Sequence, residues 1–164
     1  MLFFRKKYES YRQFFSEKEV HEFLEKYYSN FFRIIPDKEK NALLISHSRQ
    51  LQISFHDDEI FSLMRKLQKI APFTPYDLML FRGDDYKYYA DIDRPFLAHT
   101  FLRKTAEKYT ENNSIYQVYV PAGSRILPTC GFKSASDVFC EQEVIIETEK
   151  LEKISSNVYV YRSR

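Results

Sequence analysis

The chain has 164 residues, a net charge of +2, 44% hydrophobic and 17% aromatic residues and only three glycines, enough for one packed domain expected over 1–164. Residues 1–75 carry 13 Lys/Arg against 10 Asp/Glu and residues 76–164 carry 12 against 13, a balance that excludes the basic footprint of tight nucleic-acid binding. Two cysteines, Cys130 and Cys140, do not make a disulfide scaffold. No apolar run approaches the roughly 18 residues of a membrane span, and the first residues are charged too early for a secretory signal. A soluble intracellular protein, acting in its own cell or in a host cell, is the expectation.

The first half reads as a helical lobe, residues 1–75. Ser16 followed by Glu19 forms a capping box, after which Val20, Phe23, Leu24, Tyr27 and Phe31 recur at helical spacing up to Pro36. A second helix is expected after Asp37, through Ala42 to Ile45. A third is expected from a cap at Asp57, with Ile60, Met64 and Leu67 on one face. The character changes at Pro72-Phe73-Thr74-Pro75. Residues 76–164 then read as strands: Tyr76–Arg82, closed by Gly83; Pro95–Thr100; Ile115–Val120, ending in the turn Pro121-Ala122-Gly123; Glu141–Thr148; and Val158–Tyr161. A short helix is expected over Phe101–Tyr109. Helices followed by strands predict an α+β domain.

Three pieces of this pattern carry chemistry. Residues two apart on a strand share a face, so Glu141 and Glu143 are expected to project side by side, with Val144 and Ile146 opposite. Two carboxylates at one site repel, which splits their titration and allows different roles; a solvated edge strand continued by Glu147 and Glu149 is the plainer alternative. Arg82, ending an apolar strand beside Gly83, can present a bidentate fork to a phosphate or carboxylate, or lie on the surface at a strand end. His99 is either a strand histidine with a backbone partner or a functional group. The acidic cluster Asp84, Asp85, Asp91 and Asp93 reads as a solvated loop, with a metal-dependent nuclease as the remote alternative.

Taken in order, these segments resemble the catalytic core of the mono-ADP-ribosyltransferases of the arginine–serine–glutamate class, and most closely their bacteriophage-encoded and toxin-type members. Phe81-Arg82-Gly83 matches that family's aromatic-Arg-Gly strand. Phe96-Leu97-Ala98-His99-Thr100, followed by Ala106 and Tyr109, matches the Phe-x-Ser-Thr-Ser strand and its helix. Val120-Pro121-Ala122-Gly123-Ser124 matches a Pro-x-Gly-Ser turn, and Glu141-Gln142-Glu143-Val144 matches the Glu-x-Glu strand. The match covers residues 76–161.

The resemblance implies a helical lobe packed on a split mixed β-core and an enzyme that transfers ADP-ribose from NAD, without metal, to a protein acceptor. In that reading Arg82 and Gly83, with Phe96, Ala98, His99 and Thr100, bind NAD, and Arg82 contacts its pyrophosphate. Glu143 holds the nicotinamide ribose 2′-hydroxyl, and Glu141 orients the incoming nucleophile, with arginine as the expected acceptor. The Thr129–Cys140 loop, with Phe132 and Phe139, corresponds to a substrate-recognition loop, unless those rings only anchor it. One departure stands out. The family's first serine, which supports the glutamate, is Ala98 here, and His99 or Thr100 is left to take its place. NAD hydrolysis without an acceptor, a nucleic-acid acceptor and an inactive binding module of the same fold are the alternatives.

Overall fold

A computed structural model describes residues 7–48, 58–85, 94–132 and 142–162. Three helices come first: α1 (Glu17–Ile34), α2 (Asp37–Ser48) and α3 (Asp58–Ile70). The α1 cap forms as the spacing predicts. Glu19 N–H donates to Ser16 Oγ at 3.2 Å, and the Glu19 carboxylate returns to the Phe15 N–H at 3.0 Å. Its buried stripe is Val20, Phe23, Leu24, Tyr28 and Phe31; Tyr28, four residues beyond Leu24, takes the fully buried place expected of Tyr27. Asp57, the expected cap of α3, lies outside the described residues. Among the described residues no helix is long and apolar enough to cross a membrane.

The second half supplies β1 (Leu78–Gly83), β2 (Phe96–Thr100), a short α4 (Arg103–Glu107), β3 (Ile115–Val120), β4 (Glu143–Glu147), β5 (Leu151–Ser155) and β6 (Val158–Tyr161). They form one six-stranded mixed sheet in the order β4-β2-β1-β3-β6-β5, antiparallel except for β3 with β6. The expected Phe101–Tyr109 helix shrinks to α4: Phe101 N–H is spent on the Gln142 carbonyl at 3.1 Å and Leu102 N–H on Thr100 Oγ1 at 3.1 Å, which delays the helix start. β5 was not anticipated. Its Leu-Glu-Lys-Ile-Ser sequence is that of an edge strand guarded by charge.

The sheet is nearly divided. β1 runs with β3 from Leu78 opposite Val120 to Gly83 opposite Ile115, and β2 runs with β4 from Phe96 opposite Glu147 to Thr100 opposite Glu143. Between these two blocks, β1 and β2 meet at a single register position, Phe81 opposite Thr100. Beyond it the strands part, and this split carries Arg82, a candidate site residue. Residues of both halves enter one core, in which Phe14, Phe23, Tyr28 and Leu67 pack with Leu80, Phe101, Leu127 and Ile146. The N-terminal segment is stitched to the sheet by parallel bridges from Arg12 to Leu78 and from Phe14 to Leu102.

Candidate active site

Arg82 sits one residue past the Phe81–Thr100 seam and reaches across the split. Its Nη1 donates to the Ala98 carbonyl at 2.7 Å, and its Nη2 pairs with Asp84 Oδ2 at 3.1 Å. The guanidinium thus takes the place of a strand that has turned away. It is not a surface residue: its side chain is 22% exposed, and its Nε is buried with no hydrogen-bond partner. A buried, unpartnered donor is costly, and here it marks a place for an acceptor. Gly83 is required by packing: a Cβ would fall 1.8 Å from the Ala106 carbonyl oxygen, so only glycine lets α4 lie this close to β1.

A cavity of about 50 Å³ opens at the split, lined by Phe61 and Met64 of α3, by Arg82, by Arg94 and Phe96 through Ala98, and by Ile145. It holds one small group rather than a whole dinucleotide, for which pockets of roughly 300–1,000 Å³ are usual. Arg94 was not singled out from sequence, hidden as it is before Pro95. Burial, and then the nearby Arg82 guanidinium, lower its basicity, and Asp84 opposes them only in part. Arg65 of α3 lies 5.8 Å from the centre of the Phe96 ring. Cations gathered on low-dielectric walls focus a field that attracts an anion.

Glu143 opens β4 and is buried, 3% exposed, beside Thr100 in register. Its Oε1 accepts a hydrogen bond from Thr129 Oγ at 2.5 Å. Thr129 escaped sequence reasoning because its partner is fixed by long-range register. Leu127 forms an antiparallel bridge with Ile145, and two residues on from Leu127 and two back from Ile145 place Thr129 opposite Glu143. The neighbouring Cys130 thiol is pushed up by burial and, secondarily, by the Glu143 carboxylate.

Of the Glu141–Glu143 pair expected on one strand, only Glu143 lies among the described residues. β4 begins at Glu143, and Gln142 before it has φ +49°, in the left-handed region. Glu141 itself, like Phe139, Cys140, Asp91 and Asp93, lies outside the described residues. Val144 and Ile146 do point to the other face, opposite His99 and Leu97, and both are buried.

His99 is buried at 4% exposure, and its Nδ1 lies 3.1 Å from the Leu97 carbonyl oxygen. Because a carbonyl only accepts, Nδ1 carries the proton. Desolvation and the Arg82 charge hold its pKa down to about 3, so the ring is neutral. Thr100 Oγ1 caps Leu102 N–H. Phe132 is buried and packs edge-on to Phe32 of α1, with ring centres 5.9 Å apart. Asp85 caps the loop after α4 through the Glu111 and Asn112 N–H groups. Ser124, in the Pro-Ala-Gly-Ser turn, is locked to Thr74, away from the split.

No protein-family model matches the sequence, and no curated protein is similar to it in sequence. Solved structures are similar in fold. The C3 exoenzyme of Clostridium limosum superposes with a TM-score of 0.60 over 94% of this chain and 98% of its own, at 12% identity. An ADP-ribosyltransferase of Clostridium botulinum gives 0.60 over 94% and 98%, at 11% identity. An ADP-ribosyltransferase toxin of Paenibacillus larvae gives 0.58 over 90% and 96%, at 7% identity. The α+β architecture of this chain, helices packed on a six-stranded mixed sheet, is the fold of ADP-ribosyltransferase toxins.

Proposed function

We propose that the protein cleaves NAD at its nicotinamide–ribose bond and transfers the ADP-ribose to a protein, with an arginine side chain as acceptor. Two observations carry this reading: a guanidinium at the split, Arg82, whose buried Nε lacks an acceptor, and a buried carboxylate at the start of β4, Glu143, held by a hydroxyl. A pyrophosphate supplies acceptor oxygens for Arg82, and Arg94 adds a second cation on the same cavity wall. The cavity is the floor of such a site, receiving one phosphate while the rest of the dinucleotide lies above it.

NAD supplies the ADP-ribosyl group and a neutral nicotinamide leaving group. Glu143 accepts a hydrogen bond from the ribose 2′-hydroxyl, and its negative charge offsets the oxocarbenium-like charge that grows on the ribose as the bond breaks. The contribution is made mainly in the transition state. Glu141, by the resemblance of its motif, orients the acceptor guanidinium and removes its proton.

A second reading, hydrolysis of NAD without a protein acceptor, is favoured by the left-handed Gln142, because β4 begins only at Glu143. Two assays on one preparation decide. Nicotinamide release in the absence of divalent metal tests cleavage, and Glu143→Gln should lower it by about 10²–10³-fold in a folded protein. Labelling of cell protein from NAD tests transfer, and Glu141→Gln should abolish most labelling while some hydrolysis remains. Near-normal turnover by folded Glu143→Gln would sink the site assignment. Parallel loss of both activities in Glu141→Gln would place Glu141 in bond cleavage itself.

A further inference from the structure

We infer that Thr129 is the positioning residue that holds Glu143, doing from the turn after β3 what Ala98 on β2 has no hydroxyl to do; the inference rests on the role proposed above for Glu143. The 2.5 Å separation lies at the short end for a hydroxyl donating to a carboxylate. Both residues are buried, Thr129 at 2% and Glu143 at 3% exposure, so water does not compete for the bond. A glutamate's terminal torsion is broad and has no strong preference of its own. One oxygen pinned by a hydroxyl fixes the plane of the carboxylate and leaves the other oxygen's direction determined.

The turn is built to keep that hydroxyl still. Paired hydrogen bonds between Leu127 and Ile145, at 3.0 and 2.8 Å, clamp the incoming chain to β4. The 3₁₀ turn Thr129–Gly131 closes behind it, with Gly131 N–H on the Pro128 carbonyl at 3.2 Å and Phe132 N–H on the Thr129 carbonyl at 3.0 Å. The Phe32 ring of α1 lies so close to Gly131 that a Cβ there would fall 2.1 Å from its Cζ. Thr129 is therefore held by strand register on one side and by a helix on the other.

The kinetic test is Thr129→Val, which keeps the shape and removes the hydroxyl, beside Thr129→Ser, which keeps the hydroxyl. The expected result is a loss of about 10²-fold in kcat for nicotinamide release in Thr129→Val, the scale of a misplaced reacting group. KM for NAD should be unchanged, and Thr129→Ser should retain wild-type kcat. A turn residue with only a structural role would give equal losses in the two variants or a change in KM, and either result overturns the inference, as does wild-type kcat in folded Thr129→Val. A second measurement needs neither folding of the variant nor turnover: in the NMR spectrum of the wild-type protein, the Thr129 hydroxyl proton should exchange slowly. A fast-exchanging hydroxyl overturns the hold on Glu143. A slow hydroxyl proton in a wild type that releases no nicotinamide overturns the proposed function and upholds the hold.

Discussion

Acidification from pH 7 to pH 4.5 should cost the native protein roughly 2–3 kcal/mol through His99 alone. The ring's pKa is held from the ordinary 6.5 down to about 3 by desolvation first and by the Arg82 charge second. Between those two values the unfolded chain binds a proton that the native protein refuses. Stability from His99 is therefore fully present above pH 6.5 and is lost as pH falls towards 3, at about 1.4 kcal/mol per pH unit. Urea denaturation followed by circular dichroism suits the measurement, since the chain contains no tryptophan. The comparison is His99→Gln, which keeps an N–H within reach of the Leu97 carbonyl and does not titrate. Carboxylates that protonate in the same window do so in both proteins and cancel in the difference. The wild type should lose roughly 2–3 kcal/mol more than His99→Gln between the two pH values. Parallel losses would refute the assignment of His99 as a neutral, desolvated ring.

Two further substitutions probe the split. Gly83→Ala forces a methyl to within 1.8 Å of the Ala106 carbonyl; the expected loss is at the upper end of the ~1–3 kcal/mol typical of overpacking, read as a lower urea midpoint, and an unchanged midpoint would show that α4 can retreat freely from β1. Arg82→Lys replaces the fork with a point charge that cannot hold the Ala98 carbonyl and Asp84 together. NAD affinity by calorimetry should fall by about tenfold or more, the scale of one charge-assisted hydrogen bond, whereas unchanged affinity would make Arg82 only a strut across the seam.

Much of the frame was legible in the sequence because it is encoded locally. The Ser16–Glu19 box starts α1, Gly83 closes β1, and the apolar runs of β2, β3 and β6 stand where their composition places them. What escaped depends on partners distant in sequence or on backbone that composition does not reveal. A left-handed glutamine at 142 carries no signature, since only glycine and asparagine advertise that conformation. Thr129 meets Glu143 through a bridge between Leu127 and Ile145, a pairing invisible until the sheet is assembled. The available clue was the short Ile126-Leu127 apolar pair, followed after one proline by the hydroxyl residue Thr129. Arg94 was masked by the proline that follows it, and β5 by a charge pattern indistinguishable from a loop.

The resemblance in motif begins only at residue 76, as if the second half could stand without the first. The contact of Phe32 with Gly131 argues otherwise. Through that one ring, α1 braces the turn whose first residue touches the carboxylate, although nearly a hundred positions separate the ring from the turn. Shortening the chain to its recognisable half would leave every motif residue in the sequence and remove the wall against which one of them is set. Sequence changes along the α1 face near Phe32 should then register as altered rates, far from any residue that an inspection of motifs would nominate. In this chain the helical lobe is part of what holds the turn against Glu143.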